Sequence, residues 1–395
     1  MRSSLLLLGA AVWCGAAEPE RIAIIPAAAA MRLATGSFQL GPDTVILTDS
    51  ASHSSARMLS RALGVSTGFD FKILEGGKAR DNAIVLTTGA AQAGPADDGY
   101  VLDVTPRRIA IRAAKPAGVF HGTQSLRQLL PPEVYSPVAR TGVAWRVPCL
   151  HMKDTPRFAW RGVLVDVARH FFPKADLFRF LDSMAALKLN VLQLHVTDNQ
   201  GWRIEIRKYP RLTDWTRKQA LARLREQRDA KGRDVGLQGD YYTQEDLRQI
   251  VAYALERHIT VVPEIEIPGH EEAAIAGWPE LGNSDTRMDP DLLRRRLLKV
   301  FNANESTIRV LQDILSEVME LFPSTFIHIG GDEVRKDEWK LSAAAQERMR
   351  ELGLENEDEL QSYFIRRTDQ FLASRGRRLV GWDETLEGGL ALAQR

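Results

Sequence analysis

The chain of 395 residues contains only two cysteines, Cys14 and Cys149. Cys14 lies in an N-terminal segment that we expect to be removed, so the mature protein would keep a single thiol. A single thiol excludes an internal disulfide, and the stability of the mature chain must then come from packing. One cysteine does not identify the redox compartment in which a protein works.

An excess of charge of either sign is also missing. Lysines and arginines number 52 against 51 acidic residues, so the formal net charge is +1. No basic run with interleaved aromatic residues offers a surface for phosphates. The composition therefore argues against nucleic acid or an anionic membrane as a partner. It is typical of a soluble globular protein of about two or three domains.

Long hydrophobic runs are absent as well, and the apolar stretch at 5–13 is too short to span a bilayer. This stretch follows Arg2 and precedes small residues at 14–17. A basic start, a short apolar core and small residues are typical of a secretory signal peptide, which we predict at 1–17. We therefore expect an exported protein, periplasmic or extracellular, with no membrane span. The sequence does not give its oligomeric state.

Residues 21–150 have the pattern of a small α+β domain. One clear helix is predicted at 118–130, where apolar residues recur at helical spacing until two prolines stop it. No group of catalytic residue types stands out, so we predict an N-terminal accessory domain with a structural or docking role. Short β-rich segments predict strands at 44–47, 83–87, 100–104 and 108–112, the last two forming a hairpin.

From about residue 157 the pattern changes to alternating strands and helices. Thr243 and Asp246 predict a capping box at the start of one helix. Repeated βα units build a parallel sheet, most economically a (β/α)8 TIM barrel, which we predict as the catalytic domain at 151–395. The charged segment 218–239 is interpreted as an insertion near the barrel mouth. Buried-type strands are predicted at 162–167, 191–196, 260–264, 325–329 and 378–382.

Five strands are fewer than the eight that close a barrel. We therefore expect a catalytic domain that is incomplete at its C-terminus, as in a truncated chain. An open sheet of this kind would expose apolar surface and an unpaired edge.

An apolar run at 326–329 is followed by two glycines and then by Asp332 and Glu333. The glycines let the backbone bend and let a ligand approach closely. Two adjacent carboxyl groups in a partly dry site do not both ionise easily, so we expect one of them to stay protonated. Sugar hydrolysis needs this division between an acid and a carboxylate. For such a pair taken alone, an acidic surface turn is the simpler interpretation.

The C-terminal ends of the five predicted strands carry polar and aromatic residues. Catalytic groups of a βα barrel lie at these ends, so we expect the side chains to meet there. Taken singly, each has a structural explanation, such as an ion pair, a buried core histidine or a packing tryptophan. Their joint occurrence predicts one site. The strand-end segments are 166–171, 195–202, 264–270, 332–333 and 382–384.

These motifs resemble those of the β-N-acetylhexosaminidases of glycoside hydrolase family 20. The resemblance runs from about residue 21 to residue 395, and the ordered combination is far more specific than any one motif. Gly99-Tyr100 and the segment 118–130 are similar to the family's N-terminal accessory domain. The strongest marks are Asp166–Phe171, His195–Asp198, Pro268–His270 and His328–Glu333.

The resemblance implies an exo-acting enzyme that hydrolyses terminal non-reducing N-acetyl-β-glucosaminides or galactosaminides with net retention. Glu333 is similar to the family's general acid/base. Asp332 is similar to the carboxylate that orients the 2-acetamido group, whose oxygen is the nucleophile in this substrate-assisted route. Asp198 and His270 match a pair that lies behind the catalytic glutamate, where both groups would tune its pKa.

For substrate binding, the resemblance implies that Arg169 holds sugar hydroxyls through its planar donors and that Trp382 is a pocket wall. It implies no metal or other cofactor. The implied partner is an oligosaccharide or glycan with a terminal N-acetylhexosamine. Two departures are Glu266 in place of the family's Asp and Asn199 in place of a second Asp, and neither is at a position that we assign to the chemistry.

Two other functions stay open. Because the predicted barrel is incomplete, the sugar-binding residues could hold an N-acetylated sugar without hydrolysing it. His195, His270 and His328 could instead indicate a metallohydrolase. However, their spacing matches no compact metal motif, and His195 and His328 are predicted inside strands rather than at their ends. The natural glycan and the gluco or galacto preference are also open.

Overall fold

The computed structural model describes residues 22–76, 80–89, 98–214, 216, 241–283 and 299–389. The predicted signal peptide at 1–17 and the predicted insertion at 218–239 lie outside these residues. Among the helices described, none has both the length and the apolar character that crossing a membrane requires. The chain forms two compact units, Met1–Thr155 and Pro156–Arg395.

A seven-stranded sheet forms the frame of the first unit. Its strands are β1 (Ala30–Gln39), β2 (Val45–Thr48), β3 (Ile73–Glu75), β4 (Ala83–Thr88), β5 (Tyr100–Val104), β6 (Arg108–Ala113) and β7 (Arg146–Asp154). They lie in the order β1-β7-β5-β6-β4-β2-β3. β5 and β6 pair antiparallel, as the predicted hairpin requires, whereas β4 runs parallel to both β2 and β6.

Two helices, α1 (His53–Thr67) and α2 (Pro116–Leu129), pack on this sheet and share its apolar core. α2 is the helix that the sequence predicts at 118–130. α1 was not predicted, and the expectation of a single helix in this domain is wrong. The reason is that small and polar residues make up much of its buried face, which consists of Ser55, Ala56, Leu59, Leu63, Ser66 and Thr67.

Three strands of the first sheet, β1, β3 and β7, were also not predicted. β1 is exposed along most of its length, so its sequence lacks the alternation of apolar and polar residues that marks a half-buried strand. β7 carries Cys149, which is free and buried. Burial acts to raise the pKa of the Cys149 thiol, so this cysteine behaves as a small packing residue.

The second unit contains a five-stranded parallel sheet and a two-stranded hairpin. The sheet strands are β8 (Gly162–Asp166), β9 (Val191–His195), β12 (Thr260–Glu264), β13 (Phe326–His328) and β14 (Arg378–Val380), and the hairpin consists of β10 (Thr197–Asp198) and β11 (Gly201–Trp202). The sheet order is β14-β13-β12-β9-β8. These are the five strands that the sequence predicts, and the TIM-barrel-like fold class is confirmed.

Helices connect the strands of the second unit. Near the site they include the short α5, which follows the end of β12. The helices are α3 (Lys174–Ala186), α4 (Gln244–Glu256), α5 (Glu272–Gly277), α6 (Glu305–Leu321), α7 (Asp337–Leu341), α8 (Ala343–Leu352) and α9 (Glu357–Ser374). Short 3-10 turns lie at Ser50–Ser52, Pro132–Tyr135, Pro210–Thr213, Pro279–Leu281 and Asp383–Leu386.

Four strands of the parallel sheet end level with one another. Asp166 is in register with His195, His195 with Glu264, and Glu264 with His328. Residues in register on parallel strands point to the same face. The sheet therefore collects side chains of alternating acidic and basic type at the edge where βα barrels carry their chemistry.

In the part of the chain that the structure describes, β8 and β14 are the two edges of this sheet. Leu164 of β8 is 38% exposed, and Trp160 just before the strand is 49% exposed. The apolar exposure expected of an open sheet is therefore found beside β8. An unpaired edge with apolar side chains is a ready site for further strand pairing.

The predicted capping box at the start of α4 is present. Thr243 Oγ1 accepts a hydrogen bond from the Asp246 backbone N–H at 3.1 Å, and Asp246 Oδ2 accepts one from the Thr243 backbone N–H at 3.2 Å. Lys174 of α3 also donates to Asp246, at 2.5 Å. The cap therefore fixes the start of α4 and joins it to α3.

Thr243→Ala is expected to lower the free energy of unfolding by about 1 kcal/mol, because the first turn of α4 loses a hydrogen-bond acceptor. Urea unfolding followed by circular dichroism would measure the loss. Thr243→Ser keeps the hydroxyl and is the matched control, which should retain most of the stability. An equal loss in both variants would show that Thr243 acts through its methyl group and not through the cap.

Candidate active site

Asp198 lies at the centre of the strand-end residues, and its side chain is 1% exposed. Arg169 Nη2 forms an ion pair with Asp198 Oδ2 at 2.8 Å. His195 Nε2 lies 3.2 Å from the same oxygen, and His270 Nδ1 lies 3.5 Å from Oδ1. A buried carboxylate is costly unless it is paired. Asp198 is paired with one permanent cation and two imidazoles.

These contacts set three pKa values. Burial acts to raise the pKa of Asp198, but the hydrogen bonds from His195 and His270 and the charge of Arg169 outweigh it, and the pKa falls well below its ordinary value. Burial acts to lower the pKa of His195 and of His270, but Asp198 outweighs burial and both pKa values are raised. The site therefore favours an ionised Asp198 between protonated imidazoles.

His270 connects Asp198 to the acid pair. His270 Nε2 lies 3.9 Å from Asp332 Oδ1 and 3.7 Å from Glu333 Oε2. The Asp332 side chain is 26% exposed, whereas that of Glu333 is 70% exposed. The two carboxyl groups thus share one imidazole, but only Glu333 projects well into solvent.

The backbone at this contact is unusual. His270 has a φ of 60° and Glu333 a φ of 48°, both in the left-handed region. Such conformations are uncommon for residues with side chains, and each costs about 1–3 kcal/mol unless the surroundings enforce it. Strained residues of this kind cluster at functional sites. Their presence on both sides of the His270–Glu333 contact indicates a functional site independently of the sequence motifs.

The turn before the acid pair depends on glycine. Gly330 and Gly331 have φ values of 61° and 90°. A Cβ atom on Gly330 would lie 1.9 Å from Glu266 Oε2, a distance that no packing tolerates. Glu266 is 1% exposed, and its Oε2 accepts a hydrogen bond from the Gly331 backbone N–H at 3.3 Å. The Glu266 carboxyl group therefore supports the turn that presents Asp332 and Glu333.

The pKa of Glu266 is raised well above its usual range. Burial is the first cause, and the charges of Glu264, Asp332 and Asp198 add to it. A neutral Glu266 can lie among these carboxylates without a cation of its own. The expectation that Asp332 or Glu333 is protonated stays a prediction.

Trp382 borders the same turn. Its backbone N–H donates to Gly330 O at 3.0 Å, and its indole Nε1–H donates to Glu264 Oε1 at 3.0 Å. The edge contact with the His328 ring has a centroid distance of 5.0 Å. Trp382 is 36% exposed, in contrast to the buried Glu264 that it contacts.

The structure brings together every residue that the sequence predicts for the site. Contacts of 2.8–3.9 Å join five of them in sequence, and the glycine turn places the sixth beside the acid pair. These residues are Arg169, Asp198, His270, Asp332, Glu333 and Trp382.

Glu266 and Asn199 were treated as lying outside the chemistry, and this stays a prediction; Glu266 supports the glycine turn, and Asn199 Nδ2 lies 3.3 Å from His270 Nδ1. One detail of the sequence analysis is corrected. His195 and His328 were expected inside strands, but they are the last residues of β9 and β13.

Glu264 and Glu266 are the residues of this site to which sequence reasoning gave no role. The signal was present, because an apolar strand that carries two nearby carboxylates must supply each of them with partners. Their position at the end of β12 was recognised, but in this segment only Pro268–His270 was assigned to the family motif.

Two sets of metal-ligand types come within 4.8 Å of one another: His195 with Asp198 and Glu266, and Glu266 with His270 and Asp332. Arg169 already places a positive charge beside Asp198. Asp198 is therefore already charge-paired within the protein.

Comparison with known proteins adds two family matches. The family model described as "Glycosyl hydrolase family 20, catalytic domain" matches residues 158–395. The model described as "Glycosyl hydrolase family 20, domain 2" matches residues 21–155. Together they cover both compact units.

Individual relatives agree with these family matches. The chain is 40% identical over 374 residues to a beta-hexosaminidase of Porphyromonas gingivalis, which covers 94% of this chain and 46% of that protein. It is 39% identical over 300 residues to a beta-hexosaminidase of Vibrio furnissii, covering 74% and 47% of the two chains. The solved structure of Streptomyces plicatus N-acetyl-beta-hexosaminidase in complex with Thio-NAglucal matches with a TM-score of 0.75 and 32% sequence identity. The match covers 95% of this chain and 68% of that one. The chain spans about half the length of the curated relatives it matches.

Gly330→Ala is expected to cost about 2 kcal/mol more stability than Gly353→Ala. Both residues have nearly the same left-handed backbone, with φ values of 61° and 66°, so both variants lose the conformational freedom of glycine. The Cβ at residue 353 meets no atom within 4 Å, whereas that at residue 330 overlaps the buried Glu266 carboxyl group. Urea unfolding of the two variants gives the comparison, and equal losses would contradict the support assigned to Glu266.

Asp198→Asn is expected to destabilise the protein more at acidic than at alkaline pH. In the wild type, the raised pKa values of His195 and His270 give stability that is fully present below the unfolded-state value of about 6.5. This contribution is lost as the pH rises through the folded-state values. The difference in free energy of unfolding between wild type and variant should therefore become smaller as the pH rises.

The measurement is the urea midpoint of both proteins at about pH 5.5 and about pH 8.5. Asp182→Asn is the control, since Asp182 binds Arg257 and Tyr253 and contacts no histidine among the described residues. If the difference in urea midpoint between wild type and Asp198→Asn is the same at both pH values, Asp198 does not hold the imidazoles protonated.

Proposed function

The chain belongs to glycosyl hydrolase family 20, and on that premise we propose that it is an exo-acting β-N-acetylhexosaminidase. It removes terminal non-reducing N-acetyl-β-glucosaminide or galactosaminide residues by substrate-assisted, retaining catalysis. The observation that carries the proposal is the contact of the Asp332–Glu333 pair with His270, which Asp198 holds from behind.

Glu333 is the general acid/base. Its side chain is the more exposed of the pair, so it can reach the oxygen that joins the terminal sugar to the rest of the glycan. It gives a proton to this oxygen as the bond breaks and takes one from water in the second step. The His270 imidazole lies 3.7 Å from this carboxyl group, near enough to interact with it.

Asp332 orients the 2-acetamido group of the substrate. The acetamido oxygen attacks the anomeric carbon, so the protein needs no nucleophile of its own, and Asp332 stabilises the positive charge that forms on the acetamido nitrogen. Asp332 Oδ1 is buried and has no hydrogen-bond partner among the described residues. Buried polar atoms are normally paired, and an amide N–H of the substrate is a suitable donor for this oxygen.

Arg169 and Trp382 hold the sugar. The Arg169 side chain is 43% exposed, and ion pairs with Asp166 and Asp198 fix one side of its guanidinium group. Its remaining donors can bind adjacent hydroxyls. The exposed part of the Trp382 ring supplies an apolar wall for the sugar or its acetamido methyl group.

The substrate is an oligosaccharide or glycan that ends in N-acetylhexosamine, and the protein works outside the cytoplasm after removal of residues 1–17. Support for the substrate class comes from relatives that carry the name beta-hexosaminidase. Support for export comes from the basic, apolar and small residues at the N-terminus.

Glu333→Gln is expected to lower kcat about 10²–10⁴-fold on chitobiose, because the poor leaving group needs a proton. The loss on an activated aryl N-acetyl-β-glucosaminide should be much smaller. Both substrates would be assayed with purified wild type and variant. Equal losses on the two substrates would remove Glu333 from the role of acid.

Asp332→Asn is expected to lose activity on both substrates alike, since attack by the acetamido oxygen precedes departure of either leaving group. The control is a substrate without the 2-acetamido group, which should be a poor substrate for both wild type and variant. Calorimetry with N-acetylglucosamine completes the experiment. Sugar binding by a folded wild-type chain that hydrolyses neither substrate would favour the non-catalytic sugar-binding function.

A further inference from the structure

Glu264 is a buried carboxylate to which the mechanism above gives no role. It is the last residue of β12, the middle strand of the parallel sheet, and it is 0% exposed. It lies in register with His195 on one side and His328 on the other. Since water does not reach it, its neighbours must satisfy its charge and its hydrogen bonds.

Four groups converge on its two oxygens. Oε1 accepts from Trp382 Nε1 at 3.0 Å and lies 3.1 Å from His328 Nδ1. Oε2 accepts from Gln193 Nε2 at 2.7 Å and lies 3.4 Å from His195 Nδ1. Burial acts to raise the pKa of Glu264, but the His328 hydrogen bond and the charges of the two histidines outweigh it and lower that pKa. The group is therefore an ionised and fully engaged acceptor.

Trp382 depends on this acceptor for its orientation. It lies beyond the end of β14. Its backbone is tied to Gly330 O, but that contact leaves the side chain free to rotate. An indole has one N–H donor, and Glu264 takes it. The edge contact with His328, itself bound to Glu264, restricts the ring from a second direction.

We propose that Glu264 is a positioning residue that fixes the sugar-facing indole of Trp382. The proposal rests on the proposed function, in which that indole contacts the terminal sugar. Glu264 touches no substrate itself. Because a misplaced wall weakens binding of substrate and transition state alike, its loss raises KM more than it lowers kcat.

Glu264→Gln keeps the length of the side chain and removes its charge. A neutral amide accepts more weakly than a carboxylate, and its NH2 group faces the donors of Gln193 or His328. We expect KM for an aryl N-acetyl-β-glucosaminide to rise about tenfold and kcat to stay within about twofold of the wild-type value. A rise in KM of about tenfold corresponds to the loss of one charged hydrogen bond. A lower kcat at unchanged KM would overturn the proposal.

Glu338→Gln is the matched control. Glu338 is 2% exposed, and its carboxylate accepts from Asn283, Lys299 and Val300, so the same substitution also removes a buried, engaged charge. It lies on α7 and has no contact with Trp382. It should lower the unfolding temperature without changing KM. If KM rises by a comparable factor in Glu338→Gln, loss of any buried charge raises KM, and this result would contradict the proposal.

A double-mutant cycle tests whether Glu264 acts through the indole. Trp382→Phe keeps an aromatic wall but lacks the N–H donor. In this background Glu264→Gln should raise KM less than about twofold, because the contact it weakens is already gone. A rise as large as in the wild-type background would mean that Glu264 acts by another route and would overturn the proposal.

A spectroscopic arm makes the test independent of turnover. In protein labelled with 15N-tryptophan, Trp382→Phe identifies the Trp382 indole signal among those of the other tryptophans. That signal should move upfield and exchange faster with solvent in Glu264→Gln, and an unmoved signal would overturn the proposal. If Glu264→Gln does not fold, Glu264→Asp retains the charge but cannot reach the indole, and the same shift is expected.

The kinetic and the spectroscopic measurements distinguish a failure of the proposed function from a failure of the role proposed for Glu264. A wild type without hydrolysis would refute the proposed function, whereas the indole signal would still decide whether Glu264 holds Trp382.

Discussion

An ionised carboxylate that is almost completely removed from water is the constraint around which this site is arranged. Asp198 can keep its charge only because Arg169, His195 and His270 surround it. Each of these partners comes from a different strand end or from the loop after one, so the carboxylate ties β8, β9 and the end of β12 together. In return, Asp198 determines the protonation of both imidazoles and the position of the Arg169 guanidinium. In the proposed function, sugar binding and proton transfer thus both depend on this one buried charge.

The neighbouring carboxyl groups divide according to the partners they have. Glu264 contacts two histidines, an indole and an amide, and its pKa is lowered. Glu266 lies two residues further along the same segment, faces other carboxylates, and its pKa is raised. The difference of environment makes one residue an anion that can hold Trp382 and the other a neutral group that can lie against the glycine turn. An ionised Glu266 would add a fourth negative charge beside Asp198, Glu264 and Asp332, whose repulsion raises its pKa.

The sequence allowed the parallel sheet and six site residues to be predicted, because strands with continuous apolar runs and motifs at their ends are local features. It did not reveal α1, whose buried face is half serine and threonine. Nor did it reveal the functions of Glu264 and Glu266, because their roles arise from register: only after β9, β12 and β13 are aligned does Glu264 lie between His195 and His328. Similarly, the glycines were interpreted through backbone freedom, whereas Gly330 is also required by the space that Glu266 occupies.

The exposure of the acid pair follows from this arrangement. Asp198, His270, Glu264 and Glu266 are each at most 6% exposed, so packing holds them. Glu266 in turn accepts a hydrogen bond from the Gly331 backbone N–H in the left-handed turn. Glu333 continues that conformation but extends its side chain into solvent. In the proposed function, an exposed acid next to a buried His270 is suited to two successive proton transfers, because the carboxyl group would first meet a glycosidic oxygen and then a water molecule. Of the buried carboxyl groups, Glu266 contacts the glycine turn before Glu333, so weakening Glu266 is expected to affect the acid first, whereas weakening Glu264 is expected to act through Trp382.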